Sequence, residues 1–182
     1  MEIEINQKKL FIRYQIFTDG QQTHTASRKL FSFLSVVNLF ETSDDKPKMI
    51  IKKRFSWIIP KYDIKRWDNI VLEFRSKSRF KPDFECLCSN DIYNIYGHKG
   101  RKYSIFKNNS QIAWWDQDAV SLFQGFNYKI ISNKDCDIDL LISFCLIIDD
   151  RKHGPHTDGA TFDFGNIGPE TKKFDESWQP KY

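Results

Sequence analysis

Apolar and polar positions alternate in short runs along most of this chain, and the clearest run covers residues 70–84. Ile70, Leu72, Phe74, Phe80 and Phe84 fall on even positions, while Glu73, Arg75, Lys77, Arg79 and Lys81 fall on odd ones. A period of two sends the two sets to opposite faces of a strand, so the segment predicts an apolar face backed by a basic ladder. Residues 10–17 alternate toward Thr18-Asp19-Gly20-Gln21, where Asp-Gly accepts the positive φ of a tight hairpin turn. Residues 22–27 can return as a polar edge strand. Residues 30–40 fit a helical face or a strand; Val36-Val37 and the aromatic content favour the strand. Strands at 49–55 and 62–67 flank Pro60, which suits a strand edge or a turn. Further strands are expected at 90–96, 103–107, 112–116 and 128–131, with turns at Gly97-His98-Lys99-Gly100 and Asn108-Asn109-Ser110, and a short helical turn at 119–123.

These runs recur with a period. An aromatic landmark returns at Phe31, Phe55, Phe80, Tyr103 and Phe126, in steps of 24, 25, 23 and 23 residues. Arg28-Lys29-Leu30-Phe31-Ser32-Phe33 is echoed by Lys52-Lys53-Arg54-Phe55-Ser56-Trp57, and more weakly by Arg75-Ser76-Lys77-Ser78-Arg79-Phe80. Two strands and their turns fill about 24 residues, so the repeated unit is a β-hairpin.

The pattern changes at 138–148, where only Asp139 and Ser143 interrupt an apolar run. A helix apolar on every side must be enclosed on every side. At about eleven residues it is short of the roughly 20 that a bilayer demands. Asp135 or Asp137 can cap its N-terminus. A buried strand is the rival reading, which periodicity does not separate from the helix. Residues 151–182 lose all periodicity; Phe162, Phe164, Ile167, Phe174 and Trp178 are available to anchor this tail to the barrel or to a partner.

Composition and charge sharpen the picture. A chain of 182 residues with 16 Phe fits one domain whose aromatic core needs no disulfide or metal staple. Residues 46–81 carry 12 basic and 3 acidic groups, so nearly all the basic character sits on two hairpin arms. The N-terminus lacks a basic region followed by an apolar run, so no secretory signal is expected, and a cytoplasmic location is. Cys86, Cys88, Cys136 and Cys145 lie in apolar surroundings and read as reduced core thiols.

A meander of hairpins before one apolar C-terminal helix resembles the tubby C-terminal-like superfamily, and within it the LURP-one-related proteins of plants and bacteria, with phospholipid scramblases as distant relatives. The resemblance is carried by Arg28-Lys29-Leu30-Phe31-Ser32-Phe33, Met49-Ile50-Ile51-Lys52-Lys53-Arg54-Phe55-Ser56-Trp57, Tyr62-Asp63-Ile64, Tyr93-Asn94-Ile95-Tyr96-Gly97, Tyr103-Ser104-Ile105-Phe106, Gln111-Ile112-Ala113, Asp139-Leu140-Leu141-Ile142-Ser143-Phe144 and Ile147-Ile148-Asp149. It implies a mainly β fold: a closed antiparallel barrel of about twelve strands over residues 1–150, around a buried hydrophobic helix at about 136–149. Residues 151–182 remain as an irregular tail. The glycine-rich turns typical of the family are thin here, and the tail has no counterpart in it. Tubby proteins bind phosphoinositides, which makes a lipid ligand the expectation that the resemblance adds.

No catalytic or phosphate-loop signature is present, so a non-enzymatic binding module without cofactor is expected. The candidate ligand-binding face consists of Lys52, Arg54, Lys61, Lys65, Arg75, Lys77, Arg79 and Lys81, able to meet anionic phospholipid head groups at the inner face of a membrane. A solvated outer wall is the plainer account of those charges. The alternative function is a protein-interaction module using residues 151–182 and exposed aromatics. Nucleic-acid binding ranks third, because the basic face lacks regularly interleaved aromatics for base stacking. Cys86-x-Cys88 is too closely spaced for a zinc site, and His153-Gly154-Pro155-His156 reads as a loop. Of Trp114 and Trp115, one ring should fill the core and the other should lie on a neighbouring strand or beneath the tail. Asp137, Asp139, Asp149 and Asp150 read as helix cap and chain exit.

Overall fold

The computed structural model describes residues 1–8, 13–29, 33–57, 59–78, 80–117, 127–153 and 170–181. Its strands are β1 (Glu2–Lys8), β2 (Arg13–Thr18), β3 (Gln21–Arg28), β4 (Val36–Glu41), β5 (Pro47–Arg54), β6 (Lys61–Arg66), β7 (Val71–Ser76), β8 (Asp83–Cys88), β9 (Asp91–Gly97), β10 (Tyr103–Lys107), β11 (Ser110–Gln117) and β12 (Asn127–Ser132). Each pairs antiparallel with the next, and β1 also pairs with β12, so the sheet is a closed barrel. Alternate residues of every strand face inward: Ile3 and Ile5 on β1, Tyr62 and Ile64 on β6, Leu72 and Phe74 on β7 are all buried.

The remaining helix, α1 (Ile138–His153), fills the barrel. Every residue from 140 to 150 is buried. Phe144 meets Phe74 and Tyr93 at ring separations of 5.7 and 5.6 Å, while Tyr14, Tyr62 and Tyr128 reach the last turns from other walls. Closure explains why this run is a helix and not a strand. All strand edges are used by neighbours, and a segment inside the barrel must satisfy its own backbone groups, which a helix does. Asp137 caps it: its Oδ1 accepts from the Leu140 N–H at 3.1 Å.

Several expectations are corrected in detail. Barrel closure comes from β1, outside the hairpin repeat, where Glu2-Ile3-Glu4-Ile5 alternates with β12 beside it. Strand β3 is not an edge; it pairs with β2 and β4 and points His24, Ala26 and Arg28 inward. The strand expected at 30–40 begins only at Val36, and Phe33 lies exposed ahead of it. The run at 70–84 splits into β7 and β8, which places Lys77, Phe80 and Lys81 in the connection between them. The helix continues four residues beyond the expected end at 149. Turns at Asp19-Gly20 and Asn108-Asn109 do carry paired positive φ, 47° and 81°, then 48° and 69°. Phe31, Arg79, the turn expected at 119–123, Phe126, and Phe162, Phe164 and Ile167 of the tail lie outside the described residues.

Up-and-down topology gives the barrel two unlike ends. Where α1 starts, the connections are tight turns carrying Asp19, Asp44, Asp45 and Asp68. Where it finishes, the β3–β4, β5–β6, β7–β8 and β9–β10 connections emerge.

Candidate functional site: an aromatic and basic rim

The 24-residue repeat acquires a physical meaning in this geometry. One hairpin returns the chain to the same end of the barrel, so a motif repeated once per hairpin recurs at that end. Phe55 and Phe80 are therefore not core residues. They sit at 64% and 89% exposure in the β5–β6 and β7–β8 connections, joined by Trp57 at 88% and by Phe33 at 83% in the β3–β4 connection. Tyr103, the fourth landmark, opens β10 and is buried. Phe55 and Trp57 pack edge to face at 5.7 Å, which holds two rings of the rim together. Large rings left in water on three successive connections are a costly arrangement that a partner surface would relieve.

Cations stand among these rings. Lys29 precedes the β3–β4 connection, Lys52, Lys53 and Arg54 end β5, and Lys77 and Lys81 flank Phe80. An open cleft of about 590 Å³ between the first two connections is lined by Leu34, Lys52, Lys53, Arg54, Phe55, Ser56, Lys61 and Asp63. Among the described residues neither Lys52 nor Lys53 has an ion-pair partner.

Of the residues expected to form a basic face, the structure gathers some and disarms others. Lys52, Arg54 and Lys61 share the cleft. Arg54 is held by Asp63 at 3.2 Å and Glu73 at 2.6 Å, and Lys61 lies 3.7 Å from Glu73. Arg75 gives Nε and Nη2 to Glu85 Oε1 at 3.1 and 2.6 Å. The outer wall is thus stitched by carboxylates on neighbouring strands, and cross-strand registers such as Asp63 opposite Glu73 and Arg75 opposite Glu85 cause it. Lys65 is exposed but lies toward the other end of β6. Lys77, reaching Asn94 Oδ1 at 3.4 Å, and Lys81 belong to the rim. Arg79 is outside the described residues.

Beneath the rim lies a feature that sequence reasoning missed. Asp149 and Asp150, read as chain exit, are 1% and 2% exposed inside the barrel. Asp150 receives Arg28 at 2.8 Å, Ser35 Oγ at 2.6 Å and Tyr62 Oη at 3.1 Å. Asp149 accepts from Tyr14 Oη at 2.5 Å and from Tyr128 Oη, with Arg28 3.9 Å away. Burial, then the adjacent carboxylates, pushes the phenols of Tyr14, Tyr62 and Tyr128 up from their ordinary range. The one available signal was an acidic pair ending an apolar run; its partners lie up to 135 residues away in sequence. The cluster fastens the last turns of α1 to β2, β3, β6 and β12. Next to it Arg151 stacks over Phe84 at 5.0 Å, and desolvation lowers its pKa.

The remaining candidates behave as ordinary structure. Cys86 and Cys145 are buried free thiols whose pKa burial raises, and Cys136 is pushed up to about 11 by the same cause. Among the described residues no group of His, Cys, Asp and Glu is arranged to hold a metal. His156 and the side chain of His153 lie outside them. Trp115 is buried and stacks on Tyr103 at 4.8 Å, whereas Trp114 faces outward beneath Phe174 of the tail. Asp139 pairs with His24 at 3.0 Å. No described helix is long and apolar enough to cross a membrane.

Comparison with family models, curated proteins and solved structures found no match to this chain.

Proposed function

We propose that this protein is a non-enzymatic, tubby-like binding module that docks on anionic phospholipid head groups with the rim at the end of the barrel where α1 finishes. The observation that carries this reading is the placement of Phe33, Phe55, Trp57 and Phe80, all exposed, on three connections at one end, with lysines beside them. Trp prefers the headgroup level of a bilayer, Phe buries at the boundary between head groups and acyl chains, and each Lys or Arg near an anionic leaflet adds about 1 kcal/mol. The cleft with Lys52 and Lys53 offers those head groups a basic recess. This moves the expected ligand surface from the wall, where carboxylates already answer Arg54 and Arg75, to the rim. A cytoplasmic, peripheral location at an inner leaflet follows from the same charge logic. The buried Asp149 and Asp150 support a non-catalytic role, since hydroxyls and a guanidinium occupy their oxygens.

Vesicle co-sedimentation tests the proposal. The parent chain should pellet with vesicles containing phosphatidylserine at low salt, and much less with phosphatidylcholine alone. Changing Lys52, Lys53, Lys77 and Lys81 together to Gln should weaken binding by about two to three orders of magnitude. Changing Phe33, Trp57 and Phe80 to Ser should weaken it too, with less dependence on salt. Undiminished binding by both variants, or equal binding of the parent to neutral and anionic vesicles, overturns the reading.

A further inference from the structure

The outer wall of β9, β10 and β11 is built unlike the rest of the barrel. On β5 to β7 the outward positions are mostly charged, and all of them, Ile50 and Val71 included, are at least partly exposed. Here one cross-strand row reads Tyr96, Ser104 and Trp114, and the next pairs Asn94 with Phe106. Although outward, Ser104, Phe106 and Asn94 are buried, as is His98 just past the end of β9. An outward row is buried only if something lies on it. What lies on it is the segment 170–181.

The segment grips the wall almost wholly by side chains and forms no strand with it. Glu170 Oε1 accepts from the Lys99 N–H at 2.6 Å. The Lys172 ammonium stands 3.9 Å from the Phe106 ring centre and 5.8 Å from that of Tyr96. Phe174 lodges between His98 and Trp114, at 5.1 and 5.6 Å, with the Lys102 ammonium 5.1 Å from its own ring. At the far end Lys181 N–H donates to Asn133 Oδ1 at 2.8 Å, and its carbonyl accepts from Lys134 at 3.1 Å. Glu170, Lys172 and Phe174, which make these contacts, are alternate residues, as an extended peptide offers when it reads a surface with one face; Glu170 and Phe174 are half-buried, while Lys172, Lys173 and Asp175 stay exposed. The barrel closes through β1 and β12 without this segment. The segment therefore stands to the wall as a ligand stands to a groove.

We propose that the wall formed by Tyr96, His98, Phe106 and Trp114 is a peptide-recognition groove, and that residues 170–181 are its resident occupant. The fitting partner is a protein segment in extended conformation with an acidic, a basic and an aromatic residue at alternate positions, which binds by displacing the chain's own copy. The cation over two rings and the aromatic sandwich supply the specificity. This inference does not depend on lipid binding.

The test uses the full chain with Lys172→Ala and Phe174→Ala, which loosens the resident segment, and a fluorescent peptide of residues 170–181 followed by anisotropy. The double variant should bind the peptide saturably. The parent should bind it about tenfold or more weakly, because the resident segment competes at high effective concentration. Adding Trp114→Ala to the double variant, or Phe174→Ala to the peptide, should each weaken binding by about tenfold or more, the scale of a buried aromatic anchor. No saturable binding by a double variant that still melts cooperatively overturns the proposal. Should that variant lose cooperative melting, the parent with excess peptide takes its place: undisturbed resonances of its own Phe174 and Trp178 overturn the groove. A parent chain that is dimeric in sizing experiments, and that Phe174→Ala renders monomeric, assigns the groove to a second copy and overturns the partner protein.

Discussion

Arg28, Asp149 and Asp150 show what a single buried charge demands. One guanidinium faces two carboxylates in the barrel interior, and three phenols and a serine hydroxyl supply the rest of the stabilisation. Removing one member of a buried pair strands the other, at a cost of about 3–5 kcal/mol. Arg28→Ala should therefore lower the unfolding free energy by about that amount in urea titration, whereas Tyr14→Phe, which leaves Asp149 a second phenol, should cost about 1–3 kcal/mol. The same site fixes an alkaline limit. Tyr14, Tyr62 and Tyr128 hold their protons in the fold well past the ordinary value of 10.0, which the unfolded chain does not. Their contribution to stability is complete below about pH 10 and falls as pH rises beyond it, because there the unfolded state binds fewer protons. Tyrosinate absorbance for these three should grow only together with unfolding; early, reversible titration of all seven tyrosines would contradict the buried network.

At the scale of elements, α1 is the part most sensitive to volume. Phe144 sits among Phe74 and Tyr93 at the centre of a closed wall, which has no edge along which to relax. Phe144→Ala should cost about 3–5 kcal/mol by denaturant titration, near the top of the range for core truncations, because the cavity stays open. The helix was legible in the sequence as an all-round apolar run, although strand remained an equal reading on periodicity. The hairpins were legible as well, from the alternation of β7, the turns at Asp19-Gly20 and Asn108-Asn109, and the 24-residue spacing. Their connections were not. Phe55 and Phe80 look like core aromatics in a linear pattern, and only strand ends decide that they lie past the sheet. That β1 closes the barrel was not legible, because it pairs locally with β2 but its second partner, β12, is more than 120 residues away.

The whole molecule is polarised. Lysines and exposed rings crowd the end where α1 finishes, and the turn carboxylates Asp19, Asp44, Asp45 and Asp68 mark the other. Such an arrangement steers one end toward an anionic surface before contact. Trp57 and Trp67, both exposed, lie at opposite ends and report the orientation. With anionic vesicles, the emission of the chain should shift to the blue; Trp57→Phe should abolish the shift and Trp67→Phe should leave it intact. A shift that survives Trp57→Phe and vanishes with Trp67→Phe would reverse the docking orientation.

The sequence by itself determined the mainly β class, the repeated hairpin, the enclosure of the apolar run at 138–148 and the concentration of positive charge in residues 46–81, because each is written in local spacing: a period of two, a period of 24, an unbroken apolar run, a charge count. Tertiary structure alone decided which of those charges remain available, since Asp63, Glu73 and Glu85 reach Arg54 and Arg75 only through cross-strand register. It also decided that Arg28, Asp149 and Asp150 form one buried site, that the repeated aromatics form a rim, and that residues 170–181 lie on the wall of β9 to β11. Each of these is a contact between segments far apart in the chain. Closure of the barrel brings them together, and no local pattern carries that information.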